Sequence, residues 1–328
     1  MKNAKKIITL ILAFIFLALS LCSCNNNTDE KNNEKIYTVG ISQFGEHGSL
    51  DNCREGFIEG LKQEGFEEGK NLKIDYKNAS FDTGTCSTIA QGFVSGKADL
   101  ICAIATPAAQ ACYLAASEEQ IPVVFTAITD PAGAALTDGE ITGTSDVLPV
   151  QAQLSMIRSL MPDAKKIGIL YTTSESNSEY TLEMYKKYAP DYGFEIVDKG
   201  ITAASDVPMA LESVMNDVDC FSNLTDNTVV GQLDIILDKA GEAGKPVFGS
   251  EIEQVKKGCA AAEGLEYFDL GVQTGKMAAK ILKGEKKASE IPFETVTDNH
   301  LYVNTAVLEK FGLVLDEKLS ERANIVNE

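Results

Sequence analysis

The stretch ADLICAIATPAAQACYLAA, residues 98–116, decides the fold class of this chain. Its first part, DLICAIA, is apolar after the aspartate and is typical of a strand buried on both faces. Its second part is a helix pattern of small residues, and Pro107 suits the first helical turn. A buried strand that leads at once into a helix is the repeating unit of a parallel α/β fold.

The turn between strand and helix, ATPAAQ at residues 105–110, is open to two interpretations. Thr106 can cap the helix, which makes this an ordinary turn. Small residues at positions 108 and 109 also leave the first helical turn bare. A bare helix start carries partial positive charge and suits an anionic group, so the stretch is a candidate binding site as well.

The same alternation of strands and helices extends in both directions from this stretch. Strand patterns precede it at residues 36–42 and 71–79, and others follow at 122–127 and 139–145. A second alternating array begins at residue 150. Two such arrays predict an α/β protein with two doubly wound parallel-sheet lobes that are joined by crossing linkers. Ligands of such proteins bind between the lobes.

The N-terminal residues have the pattern of an export signal. A basic start is followed by the apolar run at residues 8–21, which is short for a membrane span. LCSC, residues 21–24, resembles a bacterial lipobox with Cys24 as the first mature residue, and an acylated Cys24 would anchor the protein to the outer face of the cell membrane. A plain secreted protein cut nearby is the alternative. We expect a signal peptide at 1–23 and a polar tether at 24–35.

Charge and cysteine spacing exclude several classes of function. Without residues 1–23 the chain has 26 basic and 48 acidic residues, a net charge of −22, which argues against nucleic acid and anionic membrane surfaces as partners. Six further cysteines are scattered without a C-x-x-C motif, so zinc and redox motifs are absent from the sequence. With two histidines, a histidine-based metal site is not expected. We expect no cofactor.

Several motifs along the chain together point to one family. They include VGISQFGEHGSLD (39–51), ADLICAIATPAAQA (98–111), IPVVFTAITDPAGAAL (121–136), TGTSD (142–146) and YFDLGVQTGKMAAKILKGE (267–285). Over residues 36–326 the chain resembles the substrate-binding lipoproteins of ABC transporters in the tryptophan/tyrosine-type group. The resemblance implies a type I periplasmic-binding-protein architecture, an uptake role, permease and ATPase partners, and an aromatic amino acid as ligand.

The resemblance also implies discontinuous lobes and leaves the substrate open. We expect residues 36–147 and 265–296 in lobe one, residues 148–264 and 297–328 in lobe two, and a monomer. Gly48, Thr172 and Leu224 depart from residues that are common in the family. Because Thr172 and Leu224 lie beside expected ligand loops, the sequence does not decide among tryptophan, tyrosine and phenylalanine.

A free amino acid needs partners for its carboxylate, its ammonium and its side chain. The helix start at Thr106 can supply donors to the carboxylate, and Asp226 is the first choice for the ammonium, with Glu251 second. Asp226 could instead cap the helix that follows it. Phe44 can contribute to an apolar slot. The remaining candidates are residues at predicted helix starts or strand ends: Pro107, Ala108, Ala109, Thr126, Asp130, Ser145, Asp146, Ser176, Asn177 and Asn227.

Other functions remain as alternatives to transport. An enzyme would need a nucleophile or phosphate-binding motif, and the sequence contains neither G-x-S-x-G nor a Walker motif. A transcription regulator of the same fold would carry a basic helix-turn-helix where this chain has an export signal. A ligand-sensing receptor ectodomain, or an importer component for a different small polar solute, would share the same cleft.

Overall fold

The computed structural model describes residues 35–326 of the chain. The predicted signal peptide, Cys24 and the tether up to residue 34 lie outside the described residues. The strands are β1 Tyr37–Gln43, β2 Leu72–Asn78, β3 Leu100–Ile104, β4 Val123–Ile128, β5 Ile141–Ser145, β6 Lys166–Thr172, β7 Glu195–Ile201, β8 Cys220–Ser222, β9 Val247–Phe248, β10 Ala261–Gly264, β11 Glu294–Thr295, β12 His300–Val303 and β13 Ala323–Ile325.

Helices connect most of these strands. They are α1 Gly48–Gln63, α2 Thr83–Ser95, α3 Thr106–Ala116, α4 Val150–Leu160, α5 Ser176–Tyr188, α6 Val207–Val214, α7 Asn227–Val230, α8 Leu233–Glu242, α9 Ile252–Lys257, α10 Tyr267–Leu282, α11 Thr305–Phe311 and α12 Glu317–Ser320. Within residues 35–326, no helix is long and apolar enough to cross a membrane.

Lobe one is built on a six-stranded parallel sheet in the order β11-β5-β4-β3-β1-β2. Alternate residues of β3 face opposite sides, as the strand period of two requires. Leu100 and Cys102 pack in the core that includes α1 and α10. Ile101 and Ala103 pack in the core that includes α2 and α3. The apolar run that decides the fold class is therefore a central strand covered by helices on both faces.

Lobe two contains the parallel sheet β7-β6-β8-β9 and the smaller sheet β10-β12-β13. The backbone N–H of Ala260 donates to the carbonyl of Val247 at 2.8 Å, and that of Gly249 donates to Ala261 at 3.0 Å. These bonds join β9 to β10. In the smaller sheet β10 runs antiparallel to β12, while β12 and β13 are parallel. This architecture confirms the predicted fold class.

The chain changes sheets close to the predicted lobe limits. The lobe-one sheet is left after β5, which ends at Ser145, and is rejoined by β11 at Glu294–Thr295. The next strand, β12, pairs in lobe two. Helix α10 packs on lobe one, since Leu270 and Leu282 belong to the lobe-one core. The limits at residues 147, 265 and 296 stay a prediction.

Helices α1 and α10 lie parallel and unusually close. A Cβ at Gly56 would lie 2.0 Å from the carbonyl oxygen of Phe268, and one at Gly271 would lie 2.2 Å from that of Cys53. Only glycine permits this approach of two backbones. Because the helices are parallel, both N-termini reach the same edge of lobe one, where the sheet strands end.

One predicted helix is wrong in its extent. The pattern at residues 229–243 predicts a single helix, whereas the structure has α7 and α8 with an interruption at Gly231 and Gln232. A Cβ at Gly231 would lie 2.9 Å from the Phe81 ring of lobe one. The interruption therefore coincides with a close contact between the lobes, which helix periodicity does not report.

Candidate functional site

Two adjoining cavities lie between the carboxyl ends of the strands of both lobes. The inner cavity has a volume of about 20 Å³ and the outer one about 150 Å³. Both are lined by His47, Ser49, Val230, Glu251 and Gln254. The inner cavity is further lined by Leu50, Ala127, Asp146, Thr225, Asp226, Asn227, Ser250 and Tyr267. The outer cavity is further lined by Gly48, Leu233, Glu253, Lys256 and Lys257.

Asp146 is a buried carboxylate on the lobe-one side of the inner cavity. It directly follows β5 and accepts hydrogen bonds from the Tyr267 hydroxyl at 2.6 Å and the Thr129 hydroxyl at 3.2 Å. Burial raises the pKa of Asp146 to about 6, and the two hydroxyls offset part of that rise. Both donors are neutral, so neither supplies a positive charge that compensates that of Asp146.

Glu251 is the corresponding carboxylate on the lobe-two side. As the N-cap of α9 it accepts from the backbone N–H groups of Glu253 at 2.6 Å and Gln254 at 3.0 Å. The Ser49 hydroxyl of lobe one is a further hydrogen-bond partner. Burial raises the pKa of Glu251 to about 7. A cationic group that enters the inner cavity therefore meets carboxylates from both lobes.

Asp226 also lines the inner cavity, but its oxygens are occupied by lobe two. They accept from the Thr172 N–H at 2.5 Å, the Thr172 hydroxyl at 2.8 Å and the Val229 N–H at 2.8 Å. The Ser178 hydroxyl is another partner. Burial, followed by the charge of Glu175, raises the pKa of Asp226. Asp226 therefore caps α7, and these bonds occupy most of the roughly four acceptor sites of a carboxylate. Its role as ammonium partner stays a prediction.

Glu175, which the sequence analysis missed, organises the loops of lobe two. One oxygen accepts from the Asn227 N–H at 3.0 Å and the Asn227 side-chain amide at 2.6 Å. The other accepts from the Thr228 N–H at 3.0 Å and the Thr228 hydroxyl at 2.7 Å. Glu175 thus holds the start of α7 against that of α5. Glu175 immediately precedes α5 in the structure.

The start of α3 differs from the expected turn. Ala105 is the N-cap, so Thr106 is the first helical residue and makes no side-chain cap. Ala105 has φ 77° and ψ 154°, a strained conformation that is rare outside glycine and often found at functional sites. The Thr106 hydroxyl is buried without a hydrogen-bond partner. Thr106 does not line either cavity, so its contact with a ligand stays a prediction.

Several other residues that the sequence predicts as ligand contacts pack or form hydrogen bonds within lobe one. Phe44 packs against Phe81 in the lobe-one core, with ring centroids 5.8 Å apart. The Thr126 hydroxyl lies 3.2 Å from that of Thr144. Asp130 accepts from the Gly133 N–H at 3.0 Å. The side chains that meet at the inner cavity are Asp146, Asp226, Asn227 and Glu251; those that do not line it are Phe44, Thr106, Pro107, Ala108, Ala109, Thr126, Asp130, Ser145, Ser176 and Asn177.

Besides the hydrogen bond between Ser49 and Glu251, three side-chain pairs join the lobes around the cavities. A lobe can separate from the other only if these bonds break, so the structure represents a closed cleft. The pairs are His47 Nε2 with Asn227 Oδ1 at 3.4 Å, Thr129 Oγ1 with Thr225 Oγ1 at 3.3 Å, and Asn52 Nδ2 with Glu253 Oε1 at 3.0 Å.

Cysteine and metal chemistry find no support in the described part of the chain. The thiols of Cys53, Cys86, Cys102, Cys112, Cys220 and Cys259 are buried and free, and burial raises the pKa of each. Such thiols are poor nucleophiles. Over residues 35–326, no group of three or more His, Cys, Asp or Glu side chains is arranged to hold a metal ion.

Comparison with known proteins gives consistent matches over nearly the whole described chain. A family model described as "ABC transporter substrate binding protein" matches residues 38–327. The tyrosine-binding protein of Clostridioides difficile strain R20291 is 37% identical, and the alignment covers 98% of this chain and 95% of that protein.

Two solved structures differ in how well they superpose. The ABC domain from Streptococcus pneumoniae in complex with L-Trp has a TM-score of 0.86 at 31% identity, covering 89% of this chain and 100% of that one. The ligand-free, open structure of a substrate-binding protein from Clostridium difficile has a TM-score of 0.66 at 37% identity, covering 89% and 99%. The better superposition at lower identity agrees with the closed arrangement of the lobes.

Proposed function

The chain belongs to the ABC transporter substrate-binding protein family, and from this premise we propose that it captures a free aromatic amino acid between its lobes. The relative at 37% identity that is named a tyrosine-binding protein supports this ligand class, as does the structure at TM-score 0.86 that contains L-Trp. Binding proteins of this family serve transport rather than catalysis, and we assign no reaction to the site.

The observation that carries the proposal is the pair of carboxylates in the inner cavity. Asp146 and Glu251 come from different lobes and are supplied with neutral donors only. A ligand ammonium between them would replace the missing cation, and closure would strengthen the attraction by excluding water. Glu251 was the second choice from the sequence, and Asp146 now takes the place that Asp226 had.

Helix N-termini can serve the ligand's carboxylate. α1 begins at Gly48 with no side-chain cap from His47, and α3 begins at Thr106 with no side-chain cap from Ala105. Their first N–H groups are therefore available to an anion. The α1 start contributes Ser49 to both cavities, which favours it by position. The unpartnered hydroxyl of Thr106 keeps the α3 start as a second candidate.

Ligand capture requires the lobes to open. The inner cavity of about 20 Å³ holds about one water molecule and is too small for an amino acid. We therefore propose that the ligand enters an open form and selects the closed one, since a ligand shifts such a balance only by its differential affinity. The closed form would then be the one that meets the permease.

The N-terminal anchor is part of the same proposal. Binding proteins of this family work outside the cytoplasm, and we propose that Cys24 becomes the acylated first residue, followed by the polar tether. Mass spectrometry of the native N-terminal peptide should find a diacylglyceryl-modified Cys24. A peptide that contains unmodified Cys24 still preceded by Ser23 would contradict the anchor without affecting the ligand site.

Direct titration tests the ligand class. We expect tyrosine, tryptophan or phenylalanine to bind one molecule per chain in isothermal calorimetry, while glucose, myo-inositol and inosine give no heat. The sequence contains no tryptophan, so fluorescence of bound L-tryptophan can be followed without a protein background from that residue. Binding of a sugar or nucleoside, with no response to any amino acid, would overturn the proposed function.

A further inference from the structure

His47 occupies a position shared by both cavities, and its ring has one nitrogen without a partner. Nε2 lies 3.4 Å from the side-chain oxygen of Asn227 across the cleft. Nδ1 is buried and makes no hydrogen bond. The ring lies parallel to that of Phe81, at an interplanar angle of 5° and a centroid distance of 6.5 Å. Its orientation is therefore set from two sides.

The hydrogen bonds around His47 determine which ring nitrogen carries the proton. Glu175 accepts the Asn227 side-chain N–H at 2.6 Å, and a carboxylate can only accept, so the Asn227 oxygen is the atom that faces His47. That oxygen is also an acceptor, which requires the proton on His47 Nε2. In the neutral ring Nδ1 then has a free lone pair and needs a donor.

The imidazole of His47 in the closed cleft is neutral near pH 7. Burial lowers the pKa of His47 to about 4. A protonated ring would place an N–H at Nδ1, whereas the neutral ring presents an acceptor there. A buried acceptor without a partner destabilises the site by its lost hydration, and a ligand that donates to it removes that cost. The unpaired Nδ1 therefore favours a ligand that has a hydrogen-bond donor opposite this nitrogen.

We propose that His47 Nδ1 accepts a hydrogen bond from the ring hydroxyl or ring N–H of the bound aromatic amino acid, whose ring lies in the outer cavity. This inference rests on the proposed function. The outer cavity of about 150 Å³ is comparable to the engineered cavity of about 150 Å³ that binds benzene. Val230 and Leu233 supply apolar contacts on its lobe-two side.

The consequence is a ranking among aromatic ligands. Tyrosine carries a ring O–H and tryptophan a ring N–H, while phenylalanine has no ring donor. Phenylalanine leaves Nδ1 unpaired in the closed cleft, so we expect it to bind roughly tenfold to a hundredfold more weakly than the better of the other two. 4-Methoxyphenylalanine and 1-methyltryptophan have the ring without the donor and should lose a similar factor.

Calorimetry on wild type and His47→Phe tests the assignment, since phenylalanine at position 47 keeps an aromatic ring against Phe81 and removes the acceptor. In His47→Phe we expect the ligand with a ring donor to bind about as tightly as phenylalanine. The affinity of the variant for phenylalanine should stay within about threefold of that of the wild type. Equal wild-type affinities for tyrosine, tryptophan and phenylalanine would overturn the inference while leaving the proposed function intact. Equal weakening of all three in His47→Phe would also overturn it, and would place Nδ1 at the ligand's ammonium.

Nitrogen NMR gives a second measurement that does not depend on a variant. The chain has two histidines, so ¹⁵N-histidine labelling gives ring signals from His47 and His300 only. In the protein saturated with a ligand that has a ring donor, where the cleft is closed, we expect His47 to show a protonated Nε2 and an unprotonated Nδ1, with the Nδ1 signal shifted from its position in the phenylalanine complex. A His47 that carries its proton on Nδ1 in that complex would contradict the inference.

Discussion

Two loops that follow parallel strands each place an aspartate in the inner cavity. The two carboxylates differ in how many hydrogen-bond donors the protein provides to them. After β8 in lobe two, Asp226 accepts from both donors of Thr172 and from the Val229 N–H. After β5 in lobe one, Asp146 accepts from the hydroxyls of Tyr267 and Thr129. The first carboxylate has its acceptor sites filled and stabilises a fold. The second has capacity left and is available to a ligand.

The difference shows that burial and position alone do not identify a ligand contact. Both aspartates are fully or almost fully buried, and burial raises the pKa of each. Both follow a strand and line one cavity. What separates them is the number of donors that the protein itself supplies. This distinction predicts different effects when the two aspartates are replaced.

Replacement of Asp146, the carboxylate with fewer hydrogen-bond donors, should have the largest effect on ligand affinity. In Asp146→Asn the ligand's ammonium loses a buried charged partner, which we expect to weaken binding by about 2–5 kcal/mol. The free protein should unfold at a similar or higher urea concentration, because a buried charge is removed. Calorimetry and urea unfolding measure the two quantities. Asp130→Asn is the matched control: Asp130 caps a nearby turn outside the cavity and should leave affinity unchanged.

Replacement of Asp226, whose acceptor sites are filled, should lower stability and leave affinity nearly unchanged. Asp226→Asn turns an amide N–H toward donors of Thr172 or Val229, so we expect a loss of about 1–3 kcal/mol in the free energy of unfolding. Affinity measured on the folded protein should change by less than about threefold. A loss of affinity as large as that in Asp146→Asn, with unchanged stability, would restore Asp226 as the ammonium partner and remove the contrast between the loops.

Acidification should weaken binding in the range set by the cavity carboxylates. Asp146 has a pKa of about 6 and Glu251 of about 7 in the empty cleft, and a bound ammonium favours their ionised forms. Affinity should therefore be full above about pH 8 and fall as the pH is lowered through about 7 and 6, by at most about tenfold per pH unit for each proton taken up. Calorimetry in buffers of different ionisation enthalpy counts these protons. 3-(4-Hydroxyphenyl)propionate, which lacks the ammonium, should show no such fall.

The same pKa shifts predict the reverse trend for the empty protein. Because folding raises these two pKa values above their ordinary values of 3.8 and 4.5, the stability they contribute is present at low pH and lost as pH rises through about 6 and 7. Between pH 6.5 and 8 the melting temperature should fall while affinity rises. Unfolded His47, with its ordinary pKa of 6.5, still loses protons near the lower limit of this range and offsets part of the fall. Parallel trends would contradict the assigned carboxylates.

The smallest effect should come from a contact that only closure makes. Asn52 donates to Glu253 across the lobes at 3.0 Å, so Asn52→Ala should weaken binding by about 0.5–1.5 kcal/mol without touching the ligand. Small-angle X-ray scattering should show a larger radius of gyration for the ligand-free variant. Gln63→Ala on the same helix is the control, because Gln63 bonds only to Glu59 within lobe one among its side-chain contacts. The same radius of gyration and the same affinity for both variants would rule out a role of the Asn52–Glu253 bond in closure.

The fold class and the family can both be predicted from local sequence patterns. Apolar strand runs such as residues 100–104 and their alternation with helices depend on local composition, and the chain forms β3 there as predicted. Polar residues at strand ends also predict one cleft, because parallel strands end at a common edge. Of the individual candidates, Asp146, Asp226, Asn227 and Glu251 line the inner cavity, while the chemical role of each remains a prediction.

Only the tertiary structure decided how those residues share their hydrogen bonds. Asp146 is supplied by Tyr267, which lies 121 residues further along the chain, and Glu175 sets the orientation of Asn227 from 52 residues away. Because Glu175 orients Asn227, the Asn227 oxygen faces His47 Nε2 and leaves Nδ1 as an acceptor in the neutral ring. The physical reason is that a motif reports residue type and local geometry. The number of donors around a buried oxygen depends on segments that only folding brings together.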